Sequence, residues 1–306
     1  MKKLVLIGIL FLSIAGFAQQ DALMSQYMFN KLVINPAYAG TRESVSATIV
    51  GRKQWTGLDG GPETATFTLH GPMRNRKVGL GLYVYTDELG PLHSYGIITN
   101  YSYILNVGQK GKLSFGLQVG IKHSDVDWNK VDMPDDNDLI QNAQVTKKVV
   151  PDANFGIYYY TDNFYVGLSS KHLFEQDYIV IEKPDEDVYA TLLRHFYGMA
   201  GVAIPISDRF LIKPSTLVKY VQNAPLQVDL NLNVLINKVL WIGASYRTER
   251  TAVLLAELVI SQKLRIGYSY DIFLNELHQY TQGSHEIMLG YDFPLFKNRM
   301  LSPRYF

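Results

Sequence analysis

The sequence predicts an all-β fold: a transmembrane antiparallel β-barrel of the bacterial outer membrane, with about fourteen strands. Three observations lead to it. The chain opens on an export leader. The rest divides into segments about ten residues long that alternate apolar and polar side chains. Short connections alternate with longer ones.

The leader comes first. Met1, Lys2 and Lys3 make a short basic start, and Leu4 to Phe17 is apolar but for Gly8, Ser13 and Gly16. Gly16 and Ala18 place small residues at −3 and −1 of a cut before Gln19. The apolar stretch is too short to cross a membrane core, which needs about 20 helical residues. Residues 1–18 therefore read as a signal peptide, 19–43 as an N-terminal periplasmic or lumenal segment, and 44–306 as a barrel with a C-terminal tail. The chain has no cysteine, which excludes disulfides, a thiolate metal site, a cysteine nucleophile and a cysteine-borne lipid anchor.

Strands are expected over 44–54, 63–71, 77–87, 93–105, 111–124, 151–161, 163–172, 190–204, 209–222, 225–236, 239–248, 251–260, 263–273 and 283–293. The clearest alternation runs from Leu226 to Ile236. Leu226, Val228, Leu230, Leu232, Val234 and Ile236 share one face, while Gln227, Asp229, Asn231 and Asn233 share the other. Leu113, Phe115, Leu117, Val119 and Ile121 repeat the pattern against Ser114, Gly116, Gln118 and Gly120. In 263–273, Arg265, Gly267, Ser269 and Asp271 take the polar side, and in 283–293 Glu286, Met288, Gly290 and Asp292 share the corresponding face. A soluble sandwich also alternates, so connection lengths must decide. Every second connection is a short turn, at 71–76, 106–110, 162, 205–208, 237–238 and 261–262. The intervening set holds the long loops at 125–150, 173–189 and 274–283. That asymmetry belongs to an outer-membrane barrel whose two termini are periplasmic. On this reading Gln227, Asp229, Asn231 and Asn233 face the lumen.

Composition narrows the function classes. With 29 Lys+Arg against 28 Asp+Glu the chain lacks the basic surface of a nucleic-acid binder. Of the 21 tyrosines, Tyr83, Tyr85, Tyr95, Tyr101, Tyr103, Tyr158, Tyr159, Tyr160, Tyr165, Tyr268 and Tyr270 sit in or near strand ends, where they fit aromatic belts at the lipid–water interface or the ordinary β-propensity of tyrosine. Tyr305 and Phe306 end the chain on the aromatic signal of a barrel delivered to the outer membrane.

Several stretches are more specific. Residues 27–40 read YMFNKLVINPAYAG, followed by Gln54-Trp55-Thr56-Gly57-Leu58 and PETATFTLHGPM at 62–73. GLGLYVYTDELGPLHSYG occupies 79–96, SHEIMLGYDF 284–293, and SPRYF the end. Together they resemble the PorP/SprF family of type IX secretion system outer-membrane proteins, over nearly the whole mature chain. The resemblance implies a non-enzymatic barrel that works with the secretion machinery. It would assist export or surface attachment of secreted adhesins or gliding-motility proteins, whose secreted partner would be a surface protein. It implies no catalytic residue and no cofactor. The other reading of the same barrel is a diffusion channel, since fourteen strands enclose a lumen wide enough for water.

Candidate contacts follow from local chemistry. In Asn35-Pro36-Ala37-Tyr38-Ala39-Gly40, Pro36 fixes φ and Gly40 permits a sharp entry to the first strand. Asn35, Pro36, Tyr38 and Gly40 are thus candidates for a plug or a docking segment, and Trp55 for a partner contact or the outer aromatic belt. Met24, Met28 and Leu32 suggest a short amphipathic helix over 24–33. The acidic runs at 132–138 and 182–187 read as solvated loops. Calcium is a subordinate reading, because the ligand spacing of an EF-hand is absent. His123-Ser124-Asp125 cannot form a catalytic triad, since neighbours on a strand point to opposite faces. No GxSxG or HExxH motif is present.

Overall fold

The computed structural model describes residues 21–22, 24–127, 148–181, 188–261 and 263–295. The expected signal peptide at 1–18, the acidic runs at 132–138 and 182–187, and Tyr305 and Phe306 lie outside the described residues.

The wall begins with β1 (Ser44–Lys53), β2 (Glu63–Pro72), β3 (Val78–Leu89), β4 (Leu92–Val107), β5 (Gly111–Val126), β6 (Lys148–Tyr160) and β7 (Phe164–Lys171). A hairpin of β8 (Gln176–Ile181) and β9 (Val188–Leu192) follows as a separate two-stranded sheet. The wall resumes with β10 (His195–Val202) and its two-residue continuation β11 (Ile204–Pro205). It is completed by β12 (Phe210–Val221), β13 (Gln227–Ile236), β14 (Leu240–Arg247), β15 (Thr251–Val259), β16 (Leu264–Phe273) and β17 (Ser284–Pro294). Every neighbouring pair is antiparallel. The sheet closes where β1 pairs with β17, Ser44 opposite Pro294 and Lys53 opposite His285. The result is a closed barrel of 14 strands. Closure gives the wall's peptide groups ladder partners and leaves no open edge for lipid to meet.

The expected strand over 190–204 is corrected. Its first residues belong to the β8–β9 hairpin, and the wall strand starts at His195. Leu193 and Arg194 separate the two: the Arg194 guanidinium donates to the Leu173 carbonyl at 2.7 Å, which turns the chain back to the wall.

Alternation sets the two faces. On β13, Leu230 and Leu232 are more than half exposed on the outer surface, while Asn231 and Asn233 are buried. The outer surface carries Ile49, Ile97, Val119, Leu168, Leu254 and Ile287 as well, an apolar coat that suits hydrocarbon. The tyrosines divide between the faces, which corrects the belt reading for Tyr83, Tyr158 and Tyr165. Tyr95, Tyr101, Tyr103 and Tyr268 are exposed outward, whereas Tyr83, Tyr158 and Tyr165 are buried.

What buries them is the chain's own beginning. Residues 24–40 are buried throughout, packed inside the barrel. The expected helix over 24–33 is corrected to successive tight turns. Phe29 N–H donates to the Gln26 carbonyl and Asn30 N–H to that of Tyr27, and 3-10 turns follow at Lys31–Val33 and Pro36–Tyr38. A helix with one apolar stripe has no role here, because the wall surrounds the segment and side chains must find partners in every direction.

Candidate functional site: the occupied barrel interior

Two ends of the barrel are distinguished by their connections. One carries the short turns, with Ser44 and Pro294; the other carries the loops at 54–62, 172–194 and 274–283. The buried segment connects these ends. Asp21 and Ser25 lie beside residues at the long-loop ends of β7 and β16, and Gly40 lies beside Gly79, near the turn that opens β3.

At the long-loop end the anchors are charged. The Lys171 ammonium donates to Asp21 Oδ2 at 2.6 Å, and His172 Nε2 lies 2.9 Å from Asp21 Oδ1. Burial opposes ionisation of Asp21, but the positive charge of Lys171 and His172 outweighs it and holds the carboxyl well below the usual carboxylate range. Ser25 N–H donates to Glu286 Oε2 at 2.7 Å and Gln26 N–H to Oε1 at 2.8 Å. Arg52 closes this cluster, reaching Asp271 at 2.7 Å and Glu286 at 3.2 Å with all three side chains buried. Two further wall pairs lie buried in the interior: Arg247 with Asp229 at 3.1 Å, and Arg265 with Glu257 at 3.4 Å. In these clusters each charge lies beside an opposite one, which offsets the desolvation that would otherwise expel it.

Mid-barrel anchors are hydrogen bonds and rings. Asn231 donates to the Tyr27 hydroxyl, Gln118 to the Leu32 carbonyl at 3.3 Å, and Ser169 to the Ile34 carbonyl at 2.8 Å. Lys31 Nζ sits 4.6 Å from the Tyr165 ring, and Lys213 Nζ 4.6 Å from the ring of Trp241. Asn35 has a dual role. Its Oδ1 accepts from Ala37 N–H and caps the Pro36–Tyr38 turn, while its Nδ2 donates to the carbonyls of Ile157 and Leu168 in the wall.

Close approach needs glycine in the wall. A Cβ at Gly116 would lie 2.1 Å from Ala37 N, and one at Gly79 would lie 2.2 Å from the Ala39 carbonyl oxygen. Both contacts are with backbone, which cannot swing aside. Ser102 completes this region, donating to the Ala39 carbonyl at 2.6 Å.

The residues singled out from sequence fall into two places. Asn35, Pro36, Tyr38 and Gly40 are buried in the interior, and so are Gln227, Asp229, Asn231 and Asn233. Trp55 is apart from them, half-buried in the 54–62 loop at the long-loop end, where its backbone N–H donates to the Ser284 hydroxyl at 3.1 Å. Thr56 exchanges backbone hydrogen bonds with Gln282 and Gly283, so this loop is tied to the one before β17. Arg52, Asp271 and Glu286 were not singled out. Asp271 and Glu286 stand on the polar faces of their strands, which is the signal that places them inside; their partners become visible only with the register.

With this geometry in place, the chain can be set beside known proteins. A family model described as type IX secretion system membrane protein PorP/SprF matches residues 16–291. No curated protein matches. Several solved structures share the fold. A TodX deltaS2S3 mutant monoaromatic hydrocarbon channel is 12% identical, with 86% of this chain and 94% of that one covered and a TM-score of 0.51. A Pseudomonas aeruginosa FadL homologue is 12% identical, with coverage of 87% and 94% and a TM-score of 0.51. The Ralstonia pickettii toluene transporter TbuX is 9% identical, with coverage of 86% and 92% and a TM-score of 0.50. At these identities the likeness is one of fold: an outer-membrane barrel.

Proposed function

The chain belongs to the PorP/SprF family of type IX secretion membrane proteins, and from that premise we propose that it is a non-enzymatic accessory of that secretion pathway. It assists export or surface attachment of a secreted adhesin or gliding-motility protein. The barrel sits in outer-membrane lipid with the long-loop end outward. Its partners are the secretion machinery and the secreted surface protein.

The observation that carries this reading is the family match from residue 16 to residue 291, which includes the buried segment as well as the wall. The occupied interior supports it. A barrel filled by its own chain is suited to presenting fixed surfaces at its two ends rather than to passing solutes. At the long-loop end, the tied loops around Thr56 and Gln282 and the β8–β9 hairpin make such a surface, with Trp55 as a contact. Cross-linking in intact cells followed by affinity purification tests the reading: the machinery and a surface protein should be captured together. Normal export and display of that surface protein in a strain lacking this chain would refute it.

A diffusion channel is the second reading, favoured by one observation: the interior wall is lined by polar and charged side chains such as Asp229, Asn231 and Asn233. Conductance in planar bilayers separates the two.

A further inference from the structure

We propose that Asp21, His172 and His195 form a binding site for a divalent transition metal of zinc type, which fastens the start of the interior segment to the barrel wall. Each of the three offers a ligand atom, and these atoms all lie within 4.8 Å of one another. Two imidazoles and one carboxylate are the donor set that zinc takes at sites with an open position.

The ligands are already oriented as metal-binding histidines are. His195 Nδ1 lies 2.9 Å from the Leu193 carbonyl, so that nitrogen carries the proton and the Nε2 lone pair is left for a metal. His172 Nδ1 lies 3.1 Å from Asp152 Oδ1, and a metal would replace the proton that its Nε2 shares with Asp21 Oδ1 at 2.9 Å. A carboxylate or carbonyl behind each ring is the outer shell that fixes tautomer and angle at metal sites. Both rings are buried, and they meet edge to face with centroids 5.5 Å apart. His172 is also held at φ +55, outside the range that its side chain prefers, while its N–H donates to Asn154 Oδ1 at 2.8 Å.

The ligands come from different parts of the fold. Asp21 belongs to the segment inside the barrel, His172 follows β7, and His195 opens β10. The hairpin of β8 and β9 lies between the two histidines in sequence. A metal there would join the interior segment to both ends of the excursion that carries the hairpin. Lys171, which donates to Asp21 Oδ2, holds the carboxylate so that its other oxygen faces the histidines.

The test uses the full folded barrel in detergent, stripped with a chelator and titrated calorimetrically with zinc chloride. One Zn²⁺ per chain is expected, with protection of the N-terminal segment from protease in the same sample. His195→Gln should weaken binding about 100-fold while heat-modifiable migration shows an intact barrel. Should that variant not fold, Asp152→Asn keeps all three ligands and should weaken binding by roughly 10-fold or more. The proposal is overturned if the stripped wild-type barrel binds no stoichiometric zinc, or if the folded variants bind as wild type does.

Discussion

The Ser25 hydroxyl donates to Asp271 Oδ1 at 2.7 Å, joining the interior segment to a wall strand 246 residues away in sequence. The same hydroxyl accepts from Arg52 at 3.0 Å, and Arg52 is itself paired with Asp271 and Glu286. The segment is therefore part of a buried charge cluster that spans β1, β16 and β17. Removing Arg52 leaves Glu286 without its cation and Asp271 with only the more distant Arg247, at 3.8 Å. Arg52→Ala should destabilise the folded barrel by about 3–5 kcal/mol, read as a lower urea midpoint in refolding from detergent or lipid. Ser25→Ala removes one hydroxyl and should cost about 1–3 kcal/mol.

Filling the glycine gap should expel the segment. Gly116→Leu puts side-chain carbon where Ala37 backbone stands, since even a Cβ would be 2.1 Å from Ala37 N. Strain of at least about 1–3 kcal/mol is expected, relieved by displacement of residues 35–39. Proteolysis in detergent should then cut the N-terminal segment at protease concentrations that leave the wild type whole.

The two faces of β13 should respond oppositely to charge. Leu232 is exposed on the outer surface between buried Asn231 and Asn233. Leu232→Arg should cost about 2–4 kcal/mol of folding free energy in phospholipid vesicles, the range for a cation placed at mid-depth in the hydrocarbon. In detergent micelles, where an arginine head can reach water, the loss should be smaller.

The occupied interior predicts low conductance. The full chain in a planar bilayer should show no steady open level. A chain lacking residues 21–40 keeps every ladder of the wall and should insert and conduct. Equal conductance of the two would mean that the segment leaves a free path.

How far the sequence carries this picture depends on distance along the chain. β13 is legible because strict alternation over Gln227 to Ile236 is local, and the burial of Asn231 and Asn233 follows that period. The turn at Pro36–Tyr38 is legible too, since Asn35 and Pro36 act on their immediate neighbours. The pairing of Arg52 with Asp271 is not. It depends on closure between β1, β17 and β16, which no local pattern encodes. Tyr158 and Tyr95 look alike in sequence, yet one is buried against the interior segment and the other faces outward. The β8–β9 hairpin was hidden because its second strand continues into β10 with only Leu193 and Arg194 between them. The cluster of Asp21, His172 and His195 has no sequence spacing at all, since its members meet only through the fold.

The central claim is that this barrel serves type IX secretion by binding other proteins. In-cell cross-linking tests it most directly, with the chain purified under denaturing conditions and its partners identified by mass spectrometry. The account predicts cross-links from the long-loop end to a secreted surface protein, together with components of the secretion machinery. Cross-links confined to lipid and to unrelated porins, with surface display intact in the deletion strain, would contradict it.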